Sequence, residues 1–248
     1  IVDAIQAYFD NLSSIFDQIM TTQKESLFKG AEMLRDAVVE GHNLFAFGCS
    51  HAGLLALELY YRTGGMAVIN PVRAPGLNLD IDPATMTSQM ERLPEYGKII
   101  VDNQPLGAGD VIIVHSVSGR NTVTVDVAIR AREKGAKVIA LTNMQTTTRV
   151  SSRHPSGKNL YEVADLVLDN CGCMGDGSLV IEGVAEKVAP TSTAVGAAML
   201  NAMVAQAIEL IVQSGIIPPV FISANVEGGD RHNAEMLAKY KDHIFYMD

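Results

Sequence analysis

The most constraining feature of the sequence is an apolar strand that ends in a Ser- and Gly-containing turn, because this pattern occurs twice. "FAFGCSHAG" spans residues 45–53 and "VIIVHSVSGRNT" spans residues 111–122. We call residues 48–51 the first turn and residues 116–122 the second turn. In each segment a short apolar run precedes a helical segment, which is typical of a parallel sheet covered by helices on both faces. The pattern predicts an α/β fold.

The other periodic segments continue the same alternation of strand and helix. Right-handed crossovers between the strands would place them in one parallel sheet. The predicted segments after the first turn are a helix over 52–62, the strand "GMAVIN" (65–70), a long loop over 71–85, a helix around 86–103, a helix over 121–134, and the strands "KVIALT" (137–142), "DLVLDN" (165–170) and "SLVIEG" (178–183).

The sequence predicts one domain over residues 1–248, without internal repeats or linkers. Residues 1–40 form two packing helices, 41–215 the core, and 216–248 a loop and a terminal helix. A long helix is expected over 191–214. Polar residues interrupt its apolar run, so it is predicted to be a buried helix rather than a membrane span.

Charge and cysteine content limit the functional classes. The net charge of −9, from 28 acidic and 19 basic residues, excludes a broad surface for nucleic acid. Three cysteines and no signal-peptide pattern predict a reducing, cytoplasmic location. Cys171 and Cys173 form a single Cys-x-Cys pair, and zinc needs about four ligands, so no metal site is expected.

The two turns predict an anion site, because a helix N-terminus offers unpaired N–H groups and hydroxyl side chains add further donors. The alternative is that Ser118 or Asn121 only caps its helix. A dinucleotide cofactor fits poorly. Neither turn contains G-x-G-x-x-G, and Asn70 and Pro71 stand where an acidic residue is expected after the second strand. The prediction is a phosphate-bearing ligand and no cofactor.

Three segments resemble the sugar isomerase (SIS) domain family. "SVSGRNT" is similar to its S-x-S-G-x-T/N signature, "FGCSHAG" to its first phosphosugar-binding turn, and "APTSTAVGAAMLNAM" to its third element at the start of the penultimate helix. The resemblance covers residues 41 to about 215 in order. The long N-terminal helices and "ELYYRTGG" most resemble UPF0309, a bacterial branch that is also labelled phosphoheptose isomerase.

The resemblance implies a three-layer α/β/α sandwich with a five-stranded parallel sheet, a homodimer or homotetramer, and a sugar phosphate as ligand. It also implies a set of phosphate-binding residues. Carried over by position, these are Ser50, Ser116, Ser118 and either Asn121 or Thr122, with Thr191 and Ser192 nearby.

The candidate catalytic residues are Glu58, His51 and His232. Aldose–ketose isomerisation needs a base that moves a proton between C1 and C2 and an acid that opens the ring. Glu58 lies near the position of the catalytic glutamate in phosphoheptose isomerases, and on a helix that starts near Ser50 it would share a face with His51 and Arg62. The alternative is a solvated Glu58–Arg62 pair.

His232 lies where family members tend to carry a ring-opening histidine, often donated to a neighbouring subunit, although a surface histidine is the alternative. His51 equally suits a helix cap or a substrate contact. Glu91 and Glu182 are the reserve carboxylates. Two rival functions stay open: a non-catalytic sugar-phosphate sensor, and an etherase or deaminase acting on an amino-sugar phosphate. The partners expected are a small sugar phosphate and further copies of the chain, with no nucleic acid and no membrane.

Overall fold

The computed structural model describes residues 3–247. Two 3-10 turns, Ser50–Ala52 and Lys241–His243, accompany the helices. The helices are α1 (Ala4–Thr22), α2 (Lys24–Glu40), α3 (Gly53–Leu59), α4 (Met86–Met90), α5 (Tyr96–Asp102), α6 (Thr122–Glu133), α7 (Met144–Thr147), α8 (Leu160–Val163), α9 (Ser192–Gln213) and α10 (Gly229–Lys239). The strands are β1 (Leu44–Gly48), β2 (Ile69–Pro71), β3 (Val111–His115), β4 (Lys137–Thr142), β5 (Leu166–Asp169), β6 (Gly177–Leu179) and β7 (Val188–Pro190).

Strands β1 to β5 form one parallel sheet in the order β2-β1-β3-β4-β5. The predicted five-stranded parallel sheet is therefore confirmed. β1 lies between β2 and β3. The chain adds β2 on one side of β1 and then β3, β4 and β5 on the other side, so the direction of strand addition reverses at β1. In sheets of this kind, ligands bind beyond the carboxyl ends of the strands at that reversal. The first and second turns follow β1 and β3, the two strands at this point.

Alternate side chains along each strand point to opposite faces of the sheet and so divide the hydrophobic core into two layers. Leu44 and Ala46 of β1 pack with residues of α1, α2, α3 and α9 on one face of the sheet. Phe45 and Phe47 pack with residues of α5, α6 and α8 on the other face. Successive strand side chains point to opposite faces, so a strand that is apolar throughout is buried on both sides. The three-layer α/β/α architecture is confirmed.

Helix α9 is the one described helix that is long and apolar enough to span a membrane by length and composition. It packs closely on α2, where a side chain added at Gly30 would clash with the sulfur of Met203. Its apolar residues contribute to the core layer shared with α1, α2 and α3. This agrees with the expectation of a buried helix.

Four predicted element boundaries are wrong. The helix expected over 86–103 is two helices, α4 and α5, because Glu95 adopts a left-handed backbone (φ +67°) directly after Pro94. The helix expected over 52–62 ends at Leu59, since Tyr60 is extended.

The strand expected over 65–70 is reduced to β2, because Met66 and Ala67 pair with the segment at Val220 and Pro219 instead. The strand "SLVIEG" is reduced to β6, which pairs with β7 in a separate two-stranded antiparallel hairpin.

Candidate functional site

The first and second turns meet because the ends of β1 and β3 are paired, with Gly48 opposite His115. Ser50 follows two residues after Gly48 and adopts a left-handed backbone (φ +57°). Its amide donates to the Leu77 carbonyl at 2.7 Å, and its hydroxyl lies 3.4 Å from that of Thr87. Ser50 is thus held in a defined conformation at the carboxyl edge of the sheet, beside the second turn.

His115 ties the two turns together. Its Nδ1 donates to the Ala52 carbonyl at 3.1 Å, and the imidazole is almost fully buried. Burial lowers the pKa of His115 to about 4, so the ring is neutral near pH 7. Its Nε2 is buried without a hydrogen-bond partner in the part of the chain that the structure describes.

The second turn folds around Ser116 and Gly119. The amide of Gly119 donates to the Ser116 hydroxyl at 3.1 Å, and Gly119 has a left-handed backbone (φ +60°). A Cβ at Gly119 would lie 3.0 Å from the Thr147 hydroxyl. Glycine therefore lets the turn pack close to the segment after β4. Ser118 lies between these two residues and is half-buried.

The N-terminus of α6 lies at the end of the second turn, and Asn121 occupies the N-cap position without making a side-chain cap. Instead, Asn121 Oδ1 accepts a 2.7 Å hydrogen bond from Arg153 Nη1. The Thr122 hydroxyl donates to the Arg153 carbonyl at 3.2 Å. Both alternatives for the last phosphate-binding residue are therefore in contact with Arg153, which the sequence analysis did not select.

Glu91 lies over both turns. Its carbonyl accepts a 3.1 Å hydrogen bond from the amide of Val123 in the first turn of α6. Burial raises the pKa of the Glu91 carboxyl, and the Asn121 amide and the charges of Arg92 and Arg153 only partly offset this.

Cys49 of the first turn lies close enough to Glu91 for the carboxylate charge to affect the pKa of its thiol. Burial raises the pKa of the Cys49 thiol to about 12, and the charge of Glu91 acts in the same direction. A half-buried carboxylate thus stands between the serine turns.

Glu58 and His232 make contacts outside the first and second turns. Glu58 lies on α3, next to its last residue, Leu59. Its carboxylate contacts the Arg62 guanidinium and accepts from Asn201 Nδ2 at 2.9 Å. Since α3 ends at Leu59, Arg62 does not share a helix face with His51 as the periodicity predicted.

His232 lies on α10, where its Nε2 donates to the Val220 carbonyl at 3.1 Å. Val220 pairs with Met66, which precedes β2, so this histidine sits toward the amino edge of the sheet. Of the three candidate catalytic residues, only His51 adjoins the turns in its own chain, where it is exposed directly after Ser50.

Thr191 and Ser192 both donate hydrogen bonds to the carboxylate of Asp176. Its Oδ1 accepts from the amides of Thr191 (3.0 Å) and Ser192 (2.8 Å), and its Oδ2 accepts from the Ser192 hydroxyl at 2.6 Å. A carboxylate of the chain therefore occupies the N-terminus of α9, where the resemblance implied that these hydroxyls lie near the phosphate. Asp176 lies in the sequence "GDG", which predicts a turn but gives no sign of its distant partners.

The remaining candidates are peripheral to the turns. Glu182 is exposed between β6 and β7. Cys171 and Cys173 are free thiols, as is Cys49. Within residues 3–247, no group of three or more His, Cys, Asp or Glu side chains is arranged to hold a metal ion.

Comparison with known proteins identifies the family. Residues 7–143 match the SIS domain. The chain is 44% identical to the UPF0309 protein of Shouchella clausii over 98% of this chain and 99% of that one. It is 41% identical to the UPF0309 protein of Oceanobacillus iheyensis over 98% of this chain and 99% of that one.

Solved structures share the fold at low identity. A phosphoheptose isomerase from Francisella tularensis superposes with a TM-score of 0.55 at 16% identity, over 84% of this chain and 97% of that one. The Vibrio vulnificus NanR protein complexed with ManNAc-6P gives a TM-score of 0.50 at 13% identity, over 96% and 69% of the two chains. With strand order, signature turns and full-length relatives in agreement, the chain belongs to the SIS domain family and, within it, to the UPF0309 group.

Proposed function

We propose that this protein binds a sugar phosphate between the first and second turns and interconverts its aldose and ketose forms through an enediol. The observation that carries the proposal is the placement of Glu91 beside the uncapped N-terminus of α6. A phosphate site next to a carboxylate with a raised pKa is what proton transfer on a phosphorylated substrate requires.

The phosphate is assigned to the second turn and the N-terminus of α6. Donors at this position are the hydroxyls of the half-buried Ser116 and Ser118 and the backbone amides at the start of α6 other than that of Val123, which donates to Glu91. The positive end of α6 also favours an anion. Ser50 adds a hydroxyl from the neighbouring strand end. Support from relatives is of two kinds: one protein with this fold is named a phosphoheptose isomerase, and another is complexed with ManNAc-6P.

Glu91 is proposed as the general base. In the forward direction it takes the proton from C2 of the aldose while an acid protonates the carbonyl oxygen at C1, which gives the enediol. Glu91 then returns its proton to C1 while the O2 hydroxyl gives up its proton, which forms the ketone and regenerates the acid. The base has to be ionised to act, and a raised pKa makes its carboxylate a stronger proton acceptor. His51, exposed beside Ser50, is the proposed acid in the same chain.

Glu58 and His232 remain candidates only through a second copy of the chain. Their hydrogen bonds within the chain, to Asn201 and Val220, involve neither turn. In a homo-oligomer they would act on the partner's turns. The proposed setting is the cytoplasm, which fits three free cysteines within residues 3–247.

The test is hydrogen exchange in deuterium oxide. The protein is incubated with pentose, hexose, heptose and N-acetylated hexosamine phosphates, and C1 and C2 are followed by NMR. Enediol formation brings solvent deuterium into the sugar even where net conversion is slow. Glu91→Gln is expected to slow exchange by about 10²–10⁴-fold with sugar-phosphate binding retained, which is the usual contribution of a general base. Glu58→Gln makes the same chemical change on α3 and tests the alternative base.

Each outcome assigns the function. Exchange that is lost in Glu91→Gln and kept in Glu58→Gln supports the proposal. The reverse pattern moves the base to Glu58 and requires a partner subunit. Binding without exchange for every sugar phosphate contradicts catalysis and leaves the sensor function. Release of an ether or amine product from an amino-sugar phosphate would instead identify an etherase or deaminase.

A further inference from the structure

A serine, a histidine and an aspartate that the proposed function does not use form a hydrogen-bonded series. Ser156 Oγ lies 2.7 Å from His154 Nδ1, and His154 Nε2 lies 3.0 Å from Asp126 Oδ1. The side chains of His154 and Asp126 are 9% and 1% exposed, whereas Ser156 is exposed to solvent. In this order of groups, a histidine can take the proton of the serine hydroxyl while a carboxylate orients the histidine.

The hydrogen bonds around the imidazole fix the tautomer of His154. The backbone amide of Ser156 donates to His154 Nδ1 at 3.1 Å, and an N–H group can donate only to a ring nitrogen that carries no proton. Nδ1 is therefore an acceptor, and Nε2 carries the proton that faces Asp126. It follows that the Ser156 hydroxyl donates to Nδ1, the nitrogen that would remove its proton.

Asp126 lies on α6, where its charge is poorly compensated. Its Oδ1 accepts from His154, but its Oδ2 is buried without a hydrogen-bond partner in the part of the chain that the structure describes. A buried carboxylate is costly unless it is paired with a positive group, and an imidazolium at His154 would supply that group. Transfer of the Ser156 proton to His154 is favoured for this reason. A hydrogen bond that only shaped the loop would not need a buried carboxylate behind the histidine.

The loop around Ser156 is held by its own hydrogen bonds and leaves the hydroxyl accessible. Ser152 Oγ accepts from the His154 amide at 3.0 Å and donates to the Lys158 carbonyl at 2.7 Å. The Lys158 amide donates to Ser156 Oγ at 3.2 Å, which stabilises negative charge on that oxygen. Gly157 has a left-handed backbone (φ +73°), and the structure describes no atom beyond its chain neighbours within 4 Å of the place of a Cβ. A small molecule can therefore approach Ser156 from the solvent.

We propose that Ser156 is a nucleophile that takes the acyl group of small activated carboxylic esters, with His154 as the general base and Asp126 as a positioning residue. Ser156 Oγ attacks the carbonyl carbon while His154 Nδ1 takes the hydroxyl proton. The tetrahedral adduct then expels the leaving oxygen, which takes up that proton from His154. An ester forms on Ser156 and the ester bond of the donor breaks. This modification site is independent of the proposed sugar-phosphate chemistry.

The test measures where and how fast 4-nitrophenyl acetate acetylates the protein. Mass spectrometry after timed incubation gives the acetylated fraction of Ser156 and of Ser151, an exposed serine of the same loop that serves as the internal reference. Trypsin cleaves after Arg153 and Lys158, so the two serines fall in the separate peptides "VSSR" and "HPSGK". Acetylation of Lys158 itself blocks the second cleavage and is thereby distinguished.

The variants are Ser156→Ala, His154→Gln and Asp126→Asn. His42→Gln makes the same change as His154→Gln at a histidine outside the loop and is the matched control. In wild type and His42→Gln, Ser156 is expected to react about 10²–10⁴-fold faster than Ser151, which is the usual contribution of a general base. His154→Gln should bring the two serines to about equal rates for the same reason.

Asp126→Asn tests the positioning role. It should slow acetylation of Ser156 by about tenfold or more, because the charge that stabilises the imidazolium is lost. The Nε2 proton of His154, which donates to a carboxylate, should give a downfield ¹H NMR signal. This signal should move upfield in Asp126→Asn with the fold intact by circular dichroism, and an unchanged signal would contradict the assigned role of Asp126.

Three results overturn the inference. The first is equal acetylation of Ser156 and Ser151 in folded wild type, and the second is a preference for Ser156 that survives in His154→Gln. The third is acetylation of the peptide that is unchanged in Ser156→Ala. If thermal unfolding shows that His154→Gln is unstable, wild type in urea replaces it. The preference for Ser156 should disappear in the unfolded chain, and a preference that persists there contradicts the role of His154.

Discussion

His115 Nδ1 donates to the carbonyl oxygen of Ala52 across 3.1 Å, joining the end of β3 to the turn that follows β1. The two segments that form the candidate site are therefore linked by a side chain as well as by strand pairing. Because the ring is buried and neutral, its Nδ1 proton is fixed on the side of Ala52. The link between the two segments thus requires the tautomer of His115 that carries its proton on Nδ1.

Protonation of His115 should make folding stability depend on pH. The pKa is about 4 in the folded protein and 6.5 for an ordinary histidine, so between these values the unfolded chain binds the proton and the native state does not. Stability is then full above about pH 6.5 and falls as the pH is lowered toward 4, by on the order of 3 kcal/mol in total. Urea unfolding at a series of pH values measures this slope.

Two variants separate His115 from the acidic residues that also titrate in this range. His115→Gln should remove most of the slope that the histidine contributes, whereas His51→Gln, which changes an exposed histidine, should keep it. An unchanged slope in His115→Gln would show that the ring is not buried in its neutral form.

The second turn is expected to carry most of the phosphate affinity. Ser116→Ala combined with Ser118→Ala should weaken binding of a sugar phosphate by about 10- to 100-fold, since charge-assisted hydrogen bonds contribute about 1–3 kcal/mol at a site. Titration calorimetry measures the change, and Ser88→Ala on the exposed side of α4 is the control. Unaltered affinity in the double variant, with the fold intact by circular dichroism, would exclude this turn. Because Ser116 also accepts from Gly119, the single variant Ser118→Ala shows whether lost affinity reflects a distorted turn.

Gly48 should tolerate no side chain. A Cβ there would clash with the backbone carbonyl group of Ala52, directly after the first turn. Gly48→Ala is expected to lower the free energy of unfolding by about 1–3 kcal/mol, as overpacking against rigid backbone does. Gly107→Ala is the matched control, because nothing lies within 4 Å of the added methyl and the backbone is not left-handed. Equal stability of the two variants in urea would contradict the close packing of the first turn.

The apolar face of α1 is predicted to be covered by a second copy of the chain. Ile5 and Phe9 are 74% and 60% exposed, and Val180 of the neighbouring hairpin is 78% exposed. The Tyr8 hydroxyl donates to the Pro190 carbonyl at 2.8 Å, which joins α1 to that hairpin in one surface. Light scattering should give two or four times the chain mass for wild type and a lower mass for Ile5→Ser with Phe9→Ser. A monomeric wild type would also exclude Glu58 and His232 from a partner's site.

Much of the fold could be predicted from the sequence because burial on both sheet faces leaves a simple signature. β1, β3 and β4 are continuous apolar runs, and each appears within one or two residues of its predicted place. β2 could not be placed correctly, since Met66 and Ala67 are as apolar as a strand requires but pair with residues more than 150 positions away. Whether residues 1–248 unfold as a single domain stays a prediction.

The candidate site was predictable where it is local in the chain. Ser50, Ser116 and Ser118 follow their strands directly, so the sheet topology brings the turns together. Arg153 and Asp176 could not be selected, because their partners, Asn121 and the start of α9, are set by how distant loops pack. Glu91 was only a reserve candidate, since a single helix over 86–103 gave no indication that the chain turns there and places this carboxylate over the second turn.

The carboxylate of Asp176 lies at the start of α9, so this helix N-terminus at the carboxyl edge of the sheet already binds an acidic group of the protein itself. α9 is long and points a positive end toward the same region as α6, but its charge is already neutralised before any ligand arrives. An anionic ligand can therefore bind at the N-terminus of α6, whereas at the N-terminus of α9 it would first have to displace the carboxylate of Asp176. Shortening the β6–β7 hairpin so that Asp176 is removed would free the N-terminus of α9 for an anion. The protein would then bind a wider range of acidic ligands.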